Sequence, residues 1–200
     1  YSKGQIMNSK YIEACFELAD SEQSKITEKE KRIFGLSSAR QRCFINNICA
    51  LPNTNYLEIG TYKGATLLSA AVNNKELKAV GIEDFSYDER EPQKYAPNDG
   101  IWENVKSHLY DNLNRYKDPN SGVNTDNIHI LEKSFEKVKW EELPKFNVCF
   151  FDVNPIKEHT YDTFFVPVVR QLASEAVMLL STSSTEEHAK AIPAKLTLLN

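Results

Sequence analysis

The sequence has no apolar run long enough to span a bilayer, and no secretory signal opens it. It also lacks a basic excess. Lys and Arg number 24 against 28 Asp and Glu, a net charge of −4 at pH 7. No broad positive field invites nucleic acid or anionic lipid, so neither partner is expected, and no membrane. Cys15, Cys43, Cys49 and Cys149 show no C-x-x-C spacing and no histidine pattern, which argues against zinc. Reduced thiols in a cytoplasm are the simplest account, with Cys149 as a core residue. There is no internal repeat and no low-complexity segment. The chain opens at Tyr1 rather than Met. Its 200 residues are the length of one domain, which can bury about 70% of its unfolded surface.

Glycine is sparse too, 7 in all, yet two of them bound a single turn. Residues 55–71 read NYLEIGTYKGATLLSAA. Tyr56 to Ile59 is a short β-type run. Gly60-Thr61-Tyr62-Lys63-Gly64 is a tight turn. Ala65 onward carries small and apolar residues suited to a helix packed on a sheet. Strand, glycine turn and helix open a nucleotide-type α/β unit. The glycines let a ligand approach the main chain. A dinucleotide fingerprint would need glycines at 60, 62 and 65, where Tyr62 and Ala65 stand instead. A P-loop would need Lys-Ser/Thr after Gly64, and Ala65-Thr66 follow. What remains is Glu58-x-Gly60-x-x-x-Gly64. A carboxylate there repels pyrophosphate and suits a ligand with a cationic end.

That stretch resembles motif I of the class I S-adenosylmethionine-dependent methyltransferases. Residues 35–70, GLSSARQRCFINNICALPNTNYLEIGTYKGATLLSA, resemble small-molecule O-methyltransferases related to macrocin O-methyltransferase. The resemblance implies an S-adenosylmethionine cofactor near Glu58, Gly60, Thr61, Tyr62 and Gly64. A second strand ends in Val80-Gly81-Ile82-Glu83-Asp84. An acid at such a strand end, about 20 residues past the glycine turn, takes ribose hydroxyls in nucleotide-binding folds. The resemblance puts that role on Glu83, with Asp84 beside it; two solvated acids is the alternative. It also implies adenine contacts from Ser134 and Phe135, after a third strand at 128–131. His129 in that strand reads as a structural histidine.

The rest of the chain fills in around this unit. Two amphipathic helices are expected at 10–20 and 38–51. Thr27 and Glu30 form a capping box for a short helix between them. Gly35-Leu36-Ser37 reads either as a roof over the cofactor, as the resemblance implies, or as a helix junction. Residues 85–98 are an irregular charged loop, in which Tyr87, Arg90, Lys94 and Tyr95 could meet an acceptor or simply be solvated. Residues 99–116 read as a helix capped by Asp99, with a core stripe of Trp102, Val105, Leu109, Leu113 and Tyr116. FNVCFFD at 146–152 is a buried parallel strand, and Asp152 faces the ligand crevice. A helix is expected at 160–173, kinked by Pro167 and with Leu172 inward. A fifth strand follows at 176–181. Only 195–199 resembles a last strand, so the C-terminal edge of the sheet reads as short or incomplete.

The expected fold is a doubly wound, mostly parallel α/β sheet flanked by helices, of the Rossmann-like methyltransferase type. Residues 1–52 are read as a helical cap and 53–200 as the cofactor-binding core. The expected activity is methyl transfer from S-adenosylmethionine to a small-molecule acceptor, at oxygen. Asp152 and His159 are the candidate bases, with surface roles as the alternative. The family often carries Asp-Gly-x-His after this strand, whereas here His159 comes several residues later. Metal-dependent relatives hold an aspartate pair after the fifth strand, where this chain has Ser181-Thr182-Ser183-Ser184, so no metal is expected. The competing reading is a non-catalytic S-adenosylmethionine binder or partner-assembly subunit. A nicotinamide oxidoreductase is disfavoured by Tyr62 and Ala65. The sequence leaves the oligomeric state open, a homodimer included.

Overall fold

The computed structural model describes residues 7–86, 101, 103–152 and 166–180. Five strands form one parallel sheet: β1 (Asn55–Ile59), β2 (Lys78–Glu83), β3 (Ile128–Glu132), β4 (Phe146–Phe151) and β5 (Leu172–Leu180). Their order is β3-β2-β1-β4-β5, and every pairing is parallel. The order reverses at β1. In such sheets the crevice outside the strand C-termini, at that reversal, is where ligands bind.

Strand alternation sorts the core onto two faces. Tyr56, Ala79, Val148 and Phe150 pack with four helices: α1 (Ser9–Asp20), α3 (Ala39–Ile48), α4 (Ala65–Ala71) and α5 (Val105–Arg115). Leu57, Ile59, Val80, Ile82, Cys149 and Phe151 face the other way. There they meet Val138 and Val168, the latter on α6 (Val166–Arg170). All four cysteines are free and buried. The expected stripe of Val105, Leu109, Leu113 and Tyr116 is buried along α5.

Local chemistry explains the N-terminal helices. Asn8 and Ser38 side chains accept N–H groups at the starts of α1 and α3. Thr27 and Glu30 form the expected capping box of α2 (Glu28–Lys31). On α1, Tyr11, Cys15 and Ala19 are buried, but Phe16 is half exposed and stacks on Phe44. Buried Arg42 holds the segment after α2. Its Nη1 donates to the carbonyls of Glu30, Lys31 and Ile33, and its Nε donates to Ser37 Oγ. This pins Gly35 on the start of α4, where an added methyl would meet Ala65 Cβ at 2.6 Å.

Three expectations are corrected. Leu172 and Ala173 belong to β5, not to a helix, because β5 starts earlier than its apolar run. Between Phe146↔Leu172 and Val148↔Val177, five steps of β5 face two of β4, so the ladder absorbs residues that read as helical. His129 is exposed on the edge strand β3 rather than packed in the core. Asn104, with φ of 52°, occupies the N-cap position of α5 without a side-chain cap bond. Asp99, Trp102, the acceptor-loop residues Tyr87, Arg90, Lys94 and Tyr95, the segment 195–199 and Ser181 to Ser184 lie outside the described residues.

Candidate functional site

The glycine turn leaves β1 at the crevice. Gly60, Tyr62 and Gly64 all have positive φ, at 87°, 51° and 81°. Glycine adopts this readily, whereas Tyr62 is strained and held by partners. Its N–H donates to Glu83 Oε2 at 2.7 Å, and its hydroxyl donates to the Ile101 carbonyl. Gly60 N–H donates to Ile82 O at 2.9 Å. The turn is thus stitched to the end of β2 by main chain and by Glu83.

Glu83 is buried. Its Oε1 also accepts the N–H groups of Asp84 (3.1 Å) and Phe85 (3.3 Å). Burial raises its pKa, and the N–H donors oppose that only in part. A carboxylate offers about four lone-pair sites. Three donors leave room for one more on Oε2, so a vicinal diol would make one bond here without displacing a main-chain donor. Asp84 is exposed, and its Oδ1 accepts Ser86 N–H.

Glu58, expected to suit a ligand's cationic end, lies inside the fold. It is fully buried on the helix-packed face of β1. Tyr56 donates its hydroxyl to Oε2 at 2.5 Å, and Thr66 donates to Oε1 at 2.9 Å. Burial pushes the carboxyl up to about 8, against those two bonds, and the charges of Asp152 and Glu83 add to the rise. Sequence reasoning missed Tyr56 and Thr66. The i, i+2 spacing of Tyr56 and Glu58 on one strand face was the available signal.

Thr61 Oγ1 is the one buried side-chain polar atom without a hydrogen-bond partner among the described residues. A methyl on Gly81 would meet it at 2.7 Å, beside Ile130 Cδ1 and Leu67 Cδ2. The hydroxyl therefore looks onto the bare Cα of Gly81 in apolar company. Lys63, also buried, places its ammonium 4.9 Å from the Phe34 ring and 5.2 Å from the Tyr62 ring.

At the far side of the crevice, Asp152 follows β4, exposed, with its N–H on Ile59 O at 2.8 Å. Ser134 and Phe135 follow β3. The Phe135 ring packs edge-on against Phe151 at 5.9 Å, which brings that segment beneath the end of β4. His159 lies outside the described residues. No group of three or more His, Cys, Asp and Glu side chains able to hold a metal occurs among the described residues.

The turn brings bare main chain to the crevice, and the β2 acid keeps one acceptor site. No family model matches this sequence. No curated protein matches it either. Solved structures do share its fold. Precorrin-6y C5,15-methyltransferase from Geobacter metallireducens aligns with a TM-score of 0.55 at 18% identity, over 85% of this chain and 76% of that one. A Podospora anserina methyltransferase bound to S-adenosylhomocysteine gives 0.50 at 15% identity, over 90% and 64%. An rRNA methylase from Streptococcus thermophilus gives 0.50 at 10% identity, over 81% of each chain. The fold is the Rossmann-like one of these methyltransferases.

Proposed function

We propose that this chain binds S-adenosylmethionine in the crevice between β1, β2 and β4 and transfers its methyl group to a small-molecule oxygen acceptor. The observation that carries this is the glycine turn tied through Tyr62 N–H to Glu83, at the point where the strand order reverses. The fold likeness to methyltransferases, one of them bound to S-adenosylhomocysteine, supports it. So does the missing dinucleotide fingerprint. When bound, S-adenosylmethionine supplies a methyl group already activated on a sulfonium.

The chain's residues then hold and orient. Glu83 accepts a ribose hydroxyl, the main chain at Gly60 to Gly64 gives close approach, and Phe135 offers an apolar wall for the base. Positioning of an acceptor in line can supply roughly 7–11 kcal/mol. Asp152, which follows β4, is the first candidate to take the acceptor's proton, and a base of this kind adds about 10²–10⁴-fold. His159 is the second candidate. With serines and threonine at 181 to 184, the reaction needs no metal.

The test uses methyl-labelled S-adenosylmethionine and a panel of phenols, catechols and hydroxylated small molecules, with EDTA present. The expected outcome is label on an oxygen of one acceptor class, with S-adenosylhomocysteine released. Tight binding without transfer to any acceptor would favour the non-catalytic reading, which the altered sequence after Asp152 supports. Transfer that stops with EDTA and returns with Mg²⁺ would overturn the metal-free site.

A further inference from the structure

Glu58 is fully buried at the end of β1, and two hydroxyls already hold it. Tyr56 stands two residues earlier on β1, and Thr66 stands in the first turn of α4. The bridge therefore ties the strand to the helix on either side of the glycine turn. Among the described residues, the titratable groups that act on it electrostatically include Glu83 at the end of β2, Asp152 after β4, and the thiols of Cys49 and Cys149. A fully buried carboxyl in such company is favoured in its neutral form. As a neutral acid it accepts from one hydroxyl and donates to the other, so the bridge survives protonation.

We infer that Glu58 is a positioning residue, a buried bridge between Tyr56 and Thr66 that sets the shape of the glycine turn without touching the ligand. This rests on the S-adenosylmethionine reading and deepens it. A direct role would differ, because a carboxylate paired with the ligand's ammonium works through charge. Glutamine separates the two. Its amide keeps one acceptor and one donor in the same shape, so it preserves a bridge and abolishes a charge pair.

The probes are S-adenosylhomocysteine and 5′-methylthioadenosine, which shares the nucleoside but lacks the amino-acid end. Titration calorimetry is run on wild type, Glu58→Gln, Glu58→Ala and Thr66→Val, with circular dichroism to confirm folding. Glu58→Gln is expected to bind both probes within about threefold of wild type. Glu58→Ala and Thr66→Val should each weaken both probes by a similar factor, about tenfold, the equivalent of one hydrogen bond at 1.4 kcal/mol per decade. Loss of S-adenosylhomocysteine binding in Glu58→Gln, with 5′-methylthioadenosine untouched, would overturn the inference and make Glu58 a direct partner of the ammonium. Unchanged binding in a folded Glu58→Ala would overturn it as well. Wild type binding neither probe would overturn the S-adenosylmethionine reading itself, a separate failure.

Discussion

At Thr61 a hydroxyl is buried with nothing to bond, and that sets a clear expectation. Replacing it with an isosteric methyl removes a desolvated polar atom and keeps the shape. Thr61→Val should stabilise the protein by about 1 kcal/mol, raising Tm by roughly 2–4 °C for a chain of this size. A lower Tm would mean that the hydroxyl finds a partner in solution. Glu58 gives a pH dependence. Its carboxyl has an ordinary value of 4.5 and is pushed to about 8 in the fold by burial. Between those values the folded state holds more protons than the unfolded one. The associated stability is complete below about 4.5 and is lost as pH rises to about 8. Glu58→Gln has no such titration. Urea unfolding at pH 5 and pH 8 should therefore show wild type losing ground to the variant as pH rises, and parallel curves would contradict this. Glu58 was legible as an acid at a strand end, but not as buried. Burial depends on which face of β1 the helices cover, and the motif spacing does not carry that information.

Among the elements, the segment from α2 to α3 depends on one cation. Arg42 is buried and satisfies three carbonyls and Ser37 at once. A buried carbonyl left unpaired costs about 1–3 kcal/mol, so Arg42→Met should lower stability by roughly 2–4 kcal/mol in urea unfolding. Arg42→Lys should recover only part, because an ammonium lacks the planar fork. A loss below 0.5 kcal/mol would show that the segment holds without it. Elements with strong local signals were legible beforehand. The Thr27/Glu30 box, the apolar stripe of α5 and the buried run of β4 each carry a period or a cap that the backbone must honour. The start of β5 was not legible. Leu172 and Ala173 continue a helical pattern, and only pairing with β4 across an irregular ladder draws them into the sheet. Arg42 was hidden for the same reason: on a helix face it reads as solvated, and its partners come from another segment.

For the whole molecule, the parallel order β3-β2-β1-β4-β5 puts the ends of β1, β2 and β4 around one crevice. That much follows from a chain of strand and helix units with a glycine turn after the first strand. The acceptor does not follow, since one fold serves many chemistries and the neighbours include both a precorrin and an rRNA methylase. The structure also changes what Glu83 is expected to do. Its three main-chain donors give it a share in holding the turn, so its loss should lower Tm as well as affinity. The most direct measurement is isothermal titration of S-adenosylhomocysteine into wild type and a folded Glu83→Ala, with NAD as the comparison ligand. Charge-assisted hydrogen bonds of about 1.5–3 kcal/mol correspond to a loss of roughly 10- to 150-fold. The account predicts binding of S-adenosylhomocysteine by wild type, that loss in Glu83→Ala, and no heat with NAD. Binding of NAD, or equal affinity of the two proteins for S-adenosylhomocysteine, would contradict it.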